Sequence, residues 1–109
     1  MKNSTYKTPP GLSAAAKEWW KKLATEYEID DAAGLLLLET ALQAFDRMHQ
    51  ARELITQHGA VTMDRFNQLR PNPATTIERD SRAAMLGALK ALNLDIEPLH
   101  DGAGRPPGK

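Results

Sequence analysis

The sequence predicts a mainly α protein, a three-helix unit with a long central helix and a short hairpin-like insert before the third helix. Three observations predict it. Apolar residues recur at three- and four-residue spacing through three separate stretches. Each stretch opens on a side chain able to cap a helix, Ser13, Asp31 or Asn72. Glycine and proline punctuate the gaps, at Pro9-Pro10-Gly11, at Gly59 and at Pro71 and Pro73. With 109 residues the chain is one domain whose core is modest, so a second body of apolar contacts such as a subunit interface would matter to its stability.

Residues 1–12 are polar and end in a Pro-Pro-Gly stop, the composition of a mobile arm. Ser13 then caps a first helix through "SAAAKEWWKKLATEYEI", in which Leu12, Ala16, Trp19 or Trp20, Leu23 and Tyr27 fall at helical spacing. Asp30 and Asp31 open the second, where a carboxylate satisfies free amides and complements the helix dipole. It runs seven or eight turns through "AAGLLLLETALQAFDRMHQARELITQH". Leu35, Leu38, Leu42, Phe45, Met48 and Ile55 make one stripe, widened by Leu36, Leu37, Ala41, Ala44 and Ala51, so cover on more than one side is expected.

Gly59 stops that helix, and "AVTM" and "NQLR" flank "DRF" as two short extended runs, a small hairpin or irregular loop. Asn72 as cap and Pro73 at the first helical position start the third helix, "PATTIERDSRAAMLGALKALN". Its apolar side is read as Ile77, Ala84, Met85, Ala88, Leu89 and Leu92, its polar side as Glu78, Arg79, Asp80 and Arg82. The helical domain is drawn at 13–98, and 99–109 has the composition of a flexible tail.

Net charge is zero, which removes any argument from global basicity, but the charge is segregated. Residues 1–22, 23–46, 47–82 and 83–109 carry +4, −6, +2 and 0. Such a chain can place opposite potentials on different faces, favouring head-to-tail self-association or a basic surface that meets a polyanion. No membrane span or signal peptide is read, and the absence of cysteine excludes disulfides and thiolate metal sites.

Little points to catalysis. There is no Gly-rich phosphate loop, and Ser4, Ser13 and Ser81 lack a nucleophile elbow. Asp46, His49 and Glu53 lie near one face of the second helix like half of a bundle metal site, but His58 and His100 do not supply the other half, so neither metal nor cofactor is expected. Binding is better represented. Lys17 and Lys21 sit one turn apart with Lys22 beside them, and Lys2 and Lys7 on the arm can join them in phosphate contacts. Trp19 and Trp20 point to neighbouring sides of their helix, leaving one partly exposed. The "GRPP" of the tail has the form of a single minor-groove hook.

The order of these features resembles the phage terminase small-subunit family, in the branch found with long-tailed phages. The resemblance spans roughly Pro9 to Pro98 and lies in the combination "PPGLS", "AAKEWWKKL", "DDAAGLLLLETALQAFDR", "ELITQHG", an extended insert and "NPATTIERDSRAAMLGALKALNLD". Glycine is common in the family where this chain has Asn93, and near the turn where it has "DRFNQ". The resemblance implies a non-catalytic protein of the bacterial host cytoplasm that recognises double-stranded viral DNA and forms a ring-shaped homo-oligomer. It implies further that the chain recruits or regulates a large subunit carrying the ATPase and nuclease.

In that setting Lys17, Lys21, Lys22, Arg65 and Arg70 are the expected phosphate contacts, with residues 58–74 projecting toward a neighbouring subunit or DNA. Leu35, Leu36, Leu38, Leu42, Phe45 and Met48 are the expected apolar surface for core and ring interface. The alternative is a helical protein-interaction module, a scaffold or large-subunit regulator, without direct DNA binding. A helix-turn-helix repressor fits less well, because the second helix is too long and apolar for a recognition helix.

Overall fold

A computed structural model describes residues 7–94. Within them α1 spans Ala14–Glu26, α2 Ala32–His58, β1 Val61–Met63, β2 Leu69–Pro71 and α3 Pro73–Ala91. The three helices, the long central one and the hairpin before the third are as the sequence predicts. The segments expected as arm and tail fall largely outside the described residues, as does "GRPP"; of the arm, Pro9 and Leu12 are described, and both are buried.

All three predicted caps form. Ser13 Oγ accepts from the Ala16 amide at 3.1 Å, Asp31 Oδ2 from the Gly34 amide at 2.9 Å, and Asn72 Oδ1 from the Ala74 amide at 3.0 Å. Ser13 is also tied across the fold. Its backbone N–H donates to Asp46 Oδ2 at 2.8 Å and its hydroxyl donates to Asp46 Oδ1, so one α2 carboxylate holds the start of α1. Beyond α1, Glu28 takes a left-handed φ of 52° and the Ile29 amide donates back to the Ala24 carbonyl at 2.9 Å, turning the chain into α2.

Two seams organise the packing, both on α2. Along the first, Leu12, Ala16, Trp20, Ala24 and Ile29 close over Leu38 and Leu42, with Leu35, Phe45, Leu92 and Leu94 packed at the margin. Burying each large side chain there contributes roughly 1.5–3 kcal/mol. The Ser13–Asp46 bonds add about 1 kcal/mol each. Packing therefore holds α1 in place, and the bonds fix where along α2 it sits. Between the adjacent tryptophans the structure selects Trp20 for the core and leaves Trp19 45% exposed.

The second seam joins α2 to α3. The two run antiparallel, since Arg52 near the end of α2 pairs with Glu78 near the start of α3, while Leu92 reaches the core at the other end of α2. Buried on α2 are Gly34, Ala41, Ala44, Met48 and Ala51; buried on α3 are Ala74, Ser81 and Ala88. Most are small and many recur every seventh residue, the spacing that keeps one face of a helix against a partner and lets the backbones approach closely.

The α3 face differs from the sequence expectation. Ile77 and Ala84, assigned to the core side, are exposed, whereas Ser81 is buried and Glu78 lies at the seam, bonded to Arg52 at 3.1 Å and 3.7 Å from Arg82. A close helix pair selects for small side chains, so Ala74, Ser81 and Ala88 take the face that a reading by apolarity gives to Ile77.

Candidate nucleic-acid interface

The expected DNA-contacting residues divide between two ends of the molecule. Lys17, Lys21 and Lys22 stand on α1, the first half-buried and the others exposed, and Lys7 is exposed nearby, facing the same hollow as Lys21. Lys22 Nζ lies 5.2 Å from the centre of the exposed Trp19 ring, so cation and indole present one combined surface. These lysines are at the level of Leu35, which lines that hollow.

Arg65 and Arg70 lie in the hairpin beyond His58, separated from Leu35 by roughly 35 Å of α2 at 1.5 Å per residue. The five residues are therefore not one cluster. Arg70 is also engaged within the hairpin, its Nε donating to Asp64 Oδ2 at 2.9 Å and its terminal nitrogen to Gln68 Oε1 at 3.4 Å. Its charge is balanced locally. Arg65 is exposed, its guanidinium 5.2 Å from the Phe66 ring centre.

Asp64 builds the hairpin turn. One oxygen accepts from the Phe66 and Gln68 amides at 2.8 and 3.0 Å, and the other takes Arg70. The Gln68 amide, the Arg70 guanidinium and the Phe66 amide together hold its carboxyl below the ordinary value of 3.8. Asn67 supplies the left-handed residue with φ 61°, so the turn closes without glycine: asparagine tolerates that conformation better than other residues with a Cβ. Val61 pairs with Pro71, Thr62 with Arg70 and Met63 with Leu69 in antiparallel register.

The hairpin base is clamped to both helices. Asn72 Nδ2 donates to the Gly59 carbonyl at 2.8 Å, its own amide donates to the Ala60 carbonyl at 2.7 Å, and its Oδ1 caps α3. Gly59, at φ 86°, occupies a conformation that favours glycine. The sequence identified Asn72 as a cap, but not as the clamp, because its partners at Gly59 and Ala60 depend on the hairpin's closure.

The expected interface residues are similarly divided. Leu38, Leu42 and Met48 are buried within the single chain and offer no surface to a neighbour; Leu35 and Phe45 are half-buried, and Leu36 alone of the six is exposed, at 65%. The Asp46, His49 and Glu53 grouping also has a structural explanation: Asp46 holds Ser13, and His49 stacks edge-on against Phe45 with ring centres 4.5 Å apart. Among the described residues no three metal-binding side chains gather, and no helix is long and apolar enough to cross a membrane.

Comparison with curated proteins and with solved structures returned no match. The sequence pattern of the family described as phage terminase, small subunit, matches residues 16–98, from the first turn of α1 past the end of α3. With three quarters of its length so matched, and the capped helices, long α2 and hairpin in that order, the chain belongs to the phage terminase small-subunit family.

Proposed function

We propose that, within the genome-packaging role of its family, this chain binds double-stranded viral DNA through α1, self-assembles into a ring and presents the large ATPase and nuclease subunit with a fixed docking partner. The observation that carries the DNA contact is the exposed group on α1, Lys21 and Lys22 with Trp19 beside them and Lys17 one turn away. Lysines of this kind grip phosphates without reading bases, and a ring repeats the weak contact so that effective concentration raises the affinity of the whole. Arg65 is a further phosphate contact at the opposite end, whereas Arg70 serves the turn first. The site of action on this reading is the cytoplasm of the bacterial host.

The test is duplex binding across a salt series, with DNA carrying the packaging start against unrelated duplex. The expected result is tighter binding to the former, a steep fall with salt, and a shallower slope when Lys17, Lys21 and Lys22 are replaced together by alanine. Equal binding to both duplexes, or an unchanged slope in the triple variant, rejects α1 as the contact. The exposed apolar face of the hairpin favours the second reading, a protein-interaction module whose lysines are merely solvated, and under it no duplex binds at physiological salt.

A further inference from the structure

The hairpin has two unlike faces. Thr62, Asp64, Gln68 and Arg70 lie on one, joined by the Asp64–Arg70–Gln68 hydrogen bonds. Alternation along each strand puts Val61, Met63, Leu69 and Pro71 on the other. Nothing in the chain covers that second face: Val61, Met63 and Leu69 are 55%, 58% and 70% exposed, and Phe66 at the turn is 67% exposed. A contiguous apolar face on a turn held rigid by four hydrogen bonds is the form of a docking element, not of a solvated loop.

A receptor of matching chemistry lies at the other end of the molecule. Where α1 meets the first turns of α2, two adjoining hollows of about 680 and 580 Å³ share Lys7, Trp20 and Leu35. The smaller is lined by Pro9, Pro10 and the exposed Leu36 and is edged by Glu39. It belongs to the segment 23–46, which carries a charge of −6, while the hairpin belongs to the segment 47–82, which carries +2 and presents Arg65 at its turn. Apolar face and apolar groove thus sit in surroundings of opposite sign.

We propose that the Val61–Met63–Leu69–Pro71 face of one copy seats on the Trp20–Leu35–Leu36 groove of a second copy, a surface assignment that rests on the self-assembly proposed above. A chain cannot fill its own groove, because the clamp at Gly59 and Asn72 holds the hairpin roughly 35 Å away along α2. The contact joins two different surfaces, so each copy retains one free donor and one free acceptor and addition repeats until the rotation closes.

The chain contains no cysteine, so single introduced thiols report the contact directly. Leu36→Cys is mixed with Leu69→Cys, and separately with Met63→Cys, under mild oxidation, and products are separated without reductant; all three positions are exposed. Native mass spectrometry of Leu69→Glu, with circular dichroism to confirm retained helix, runs alongside. The expected result is a mixed disulfide from at least one pair, little product from any variant alone, and loss of the oligomer in Leu69→Glu with helicity unchanged.

Disulfides formed by Leu69→Cys or Met63→Cys alone overturn the assignment in favour of hairpins that pair with each other. An oligomer that persists in Leu69→Glu and yields no mixed disulfide also overturns it, while leaving self-assembly intact. A monomer at every concentration overturns self-assembly as well, and then leaves the face to a different protein such as the large subunit, or the groove to residues 1–6. None of these outcomes depends on DNA, so failure of the nucleic-acid reading is scored separately.

Discussion

Replacing Gly34 by alanine and, separately, Gly87 by alanine makes the same chemical change in two helices and should give opposite signs. Glycine inside a helix is about 0.8–1 kcal/mol less favourable than alanine, so propensity alone makes both variants more stable. At Gly87 on exposed α3 an added Cβ meets nothing within 4 Å, and the propensity gain stands unopposed. At Gly34 the added carbon lies 2.7 Å from Asp31 Oδ1 and 2.9 Å from Ile29 Cγ2. Asp31 is the cap of α2 and Ile29 is a buried core residue, so neither can yield freely.

Displacing the cap costs about 1 kcal/mol. Forcing a packed side chain aside costs about 1–3 kcal/mol. Set against the propensity gain, Gly34→Ala comes out destabilised by about 1–3 kcal/mol and Gly87→Ala stabilised by about 1 kcal/mol. For a domain of this size the melting temperature falls by roughly 5–15 °C in the first and rises by roughly 4–8 °C in the second. Thermal melts at one fixed chain concentration measure both, since assembly would otherwise shift the midpoint. A Gly34→Ala protein as stable as Gly87→Ala would refute the placement of Asp31 and Ile29 around the start of α2.

Two further outcomes follow from contacts described above. Ser13→Ala removes the α1 cap and one bond to Asp46, and should cost about 1 kcal/mol; in a double-mutant cycle with Asp46→Ala in urea, the pair should show a coupling of about 0.5–1 kcal/mol, and strict additivity would break the α1–α2 tie. Because the Asp64 carboxyl is held below its ordinary value of 3.8, its contribution to the hairpin is fully present above that value and is lost as pH falls through the lowered one. Amide exchange at Phe66 and Gln68 should accordingly lose protection on acidification below about pH 4 and not between pH 5 and 8. An Asp64→Asn protein should exchange faster at these amides at neutral pH.

The elements of the fold were legible because local chemistry marks them. Ser13, Asp31 and Asn72 cap as residues of their type do, and Gly59 stops α2 where its positive φ is needed. Asn93 takes φ 60° at the end of α3, so the site where the family often has glycine is filled here by the residue that next best tolerates it. What was not legible was which face each helix buries. That choice belongs to the pair, and the close α2–α3 seam favours Ala74, Ser81 and Ala88 over Ile77. The seven-residue spacing of those three small side chains was the available signal.

The candidate site was legible as residue types and not as an assembly. Periodicity placed Lys17, Lys21 and Lys22 together correctly, since one short helix carries them all. It could not show that Arg70 turns inward to Asp64, nor that the hairpin stands far from α1, because both depend on contacts between residues that the sequence separates. For the same reason Leu38, Leu42 and Met48 read equally well as core and as subunit surface until α1 and α3 were in place around them.

The seam between α2 and α3 repeats every seven residues, and a repeat by nature matches itself when displaced by one period. A slide of one heptad, about 10 Å, would again set small side chain against small side chain, and apolar packing alone would discriminate poorly between the two alignments. The linkage of Gly59, Ala60 and Asn72 removes that ambiguity: with the connecting hairpin cross-tied at its base, the two helices have no slack with which to shift. The dozen residues that interrupt the helices thus act as an indexing pin, choosing one alignment out of a degenerate set before any neighbour is engaged.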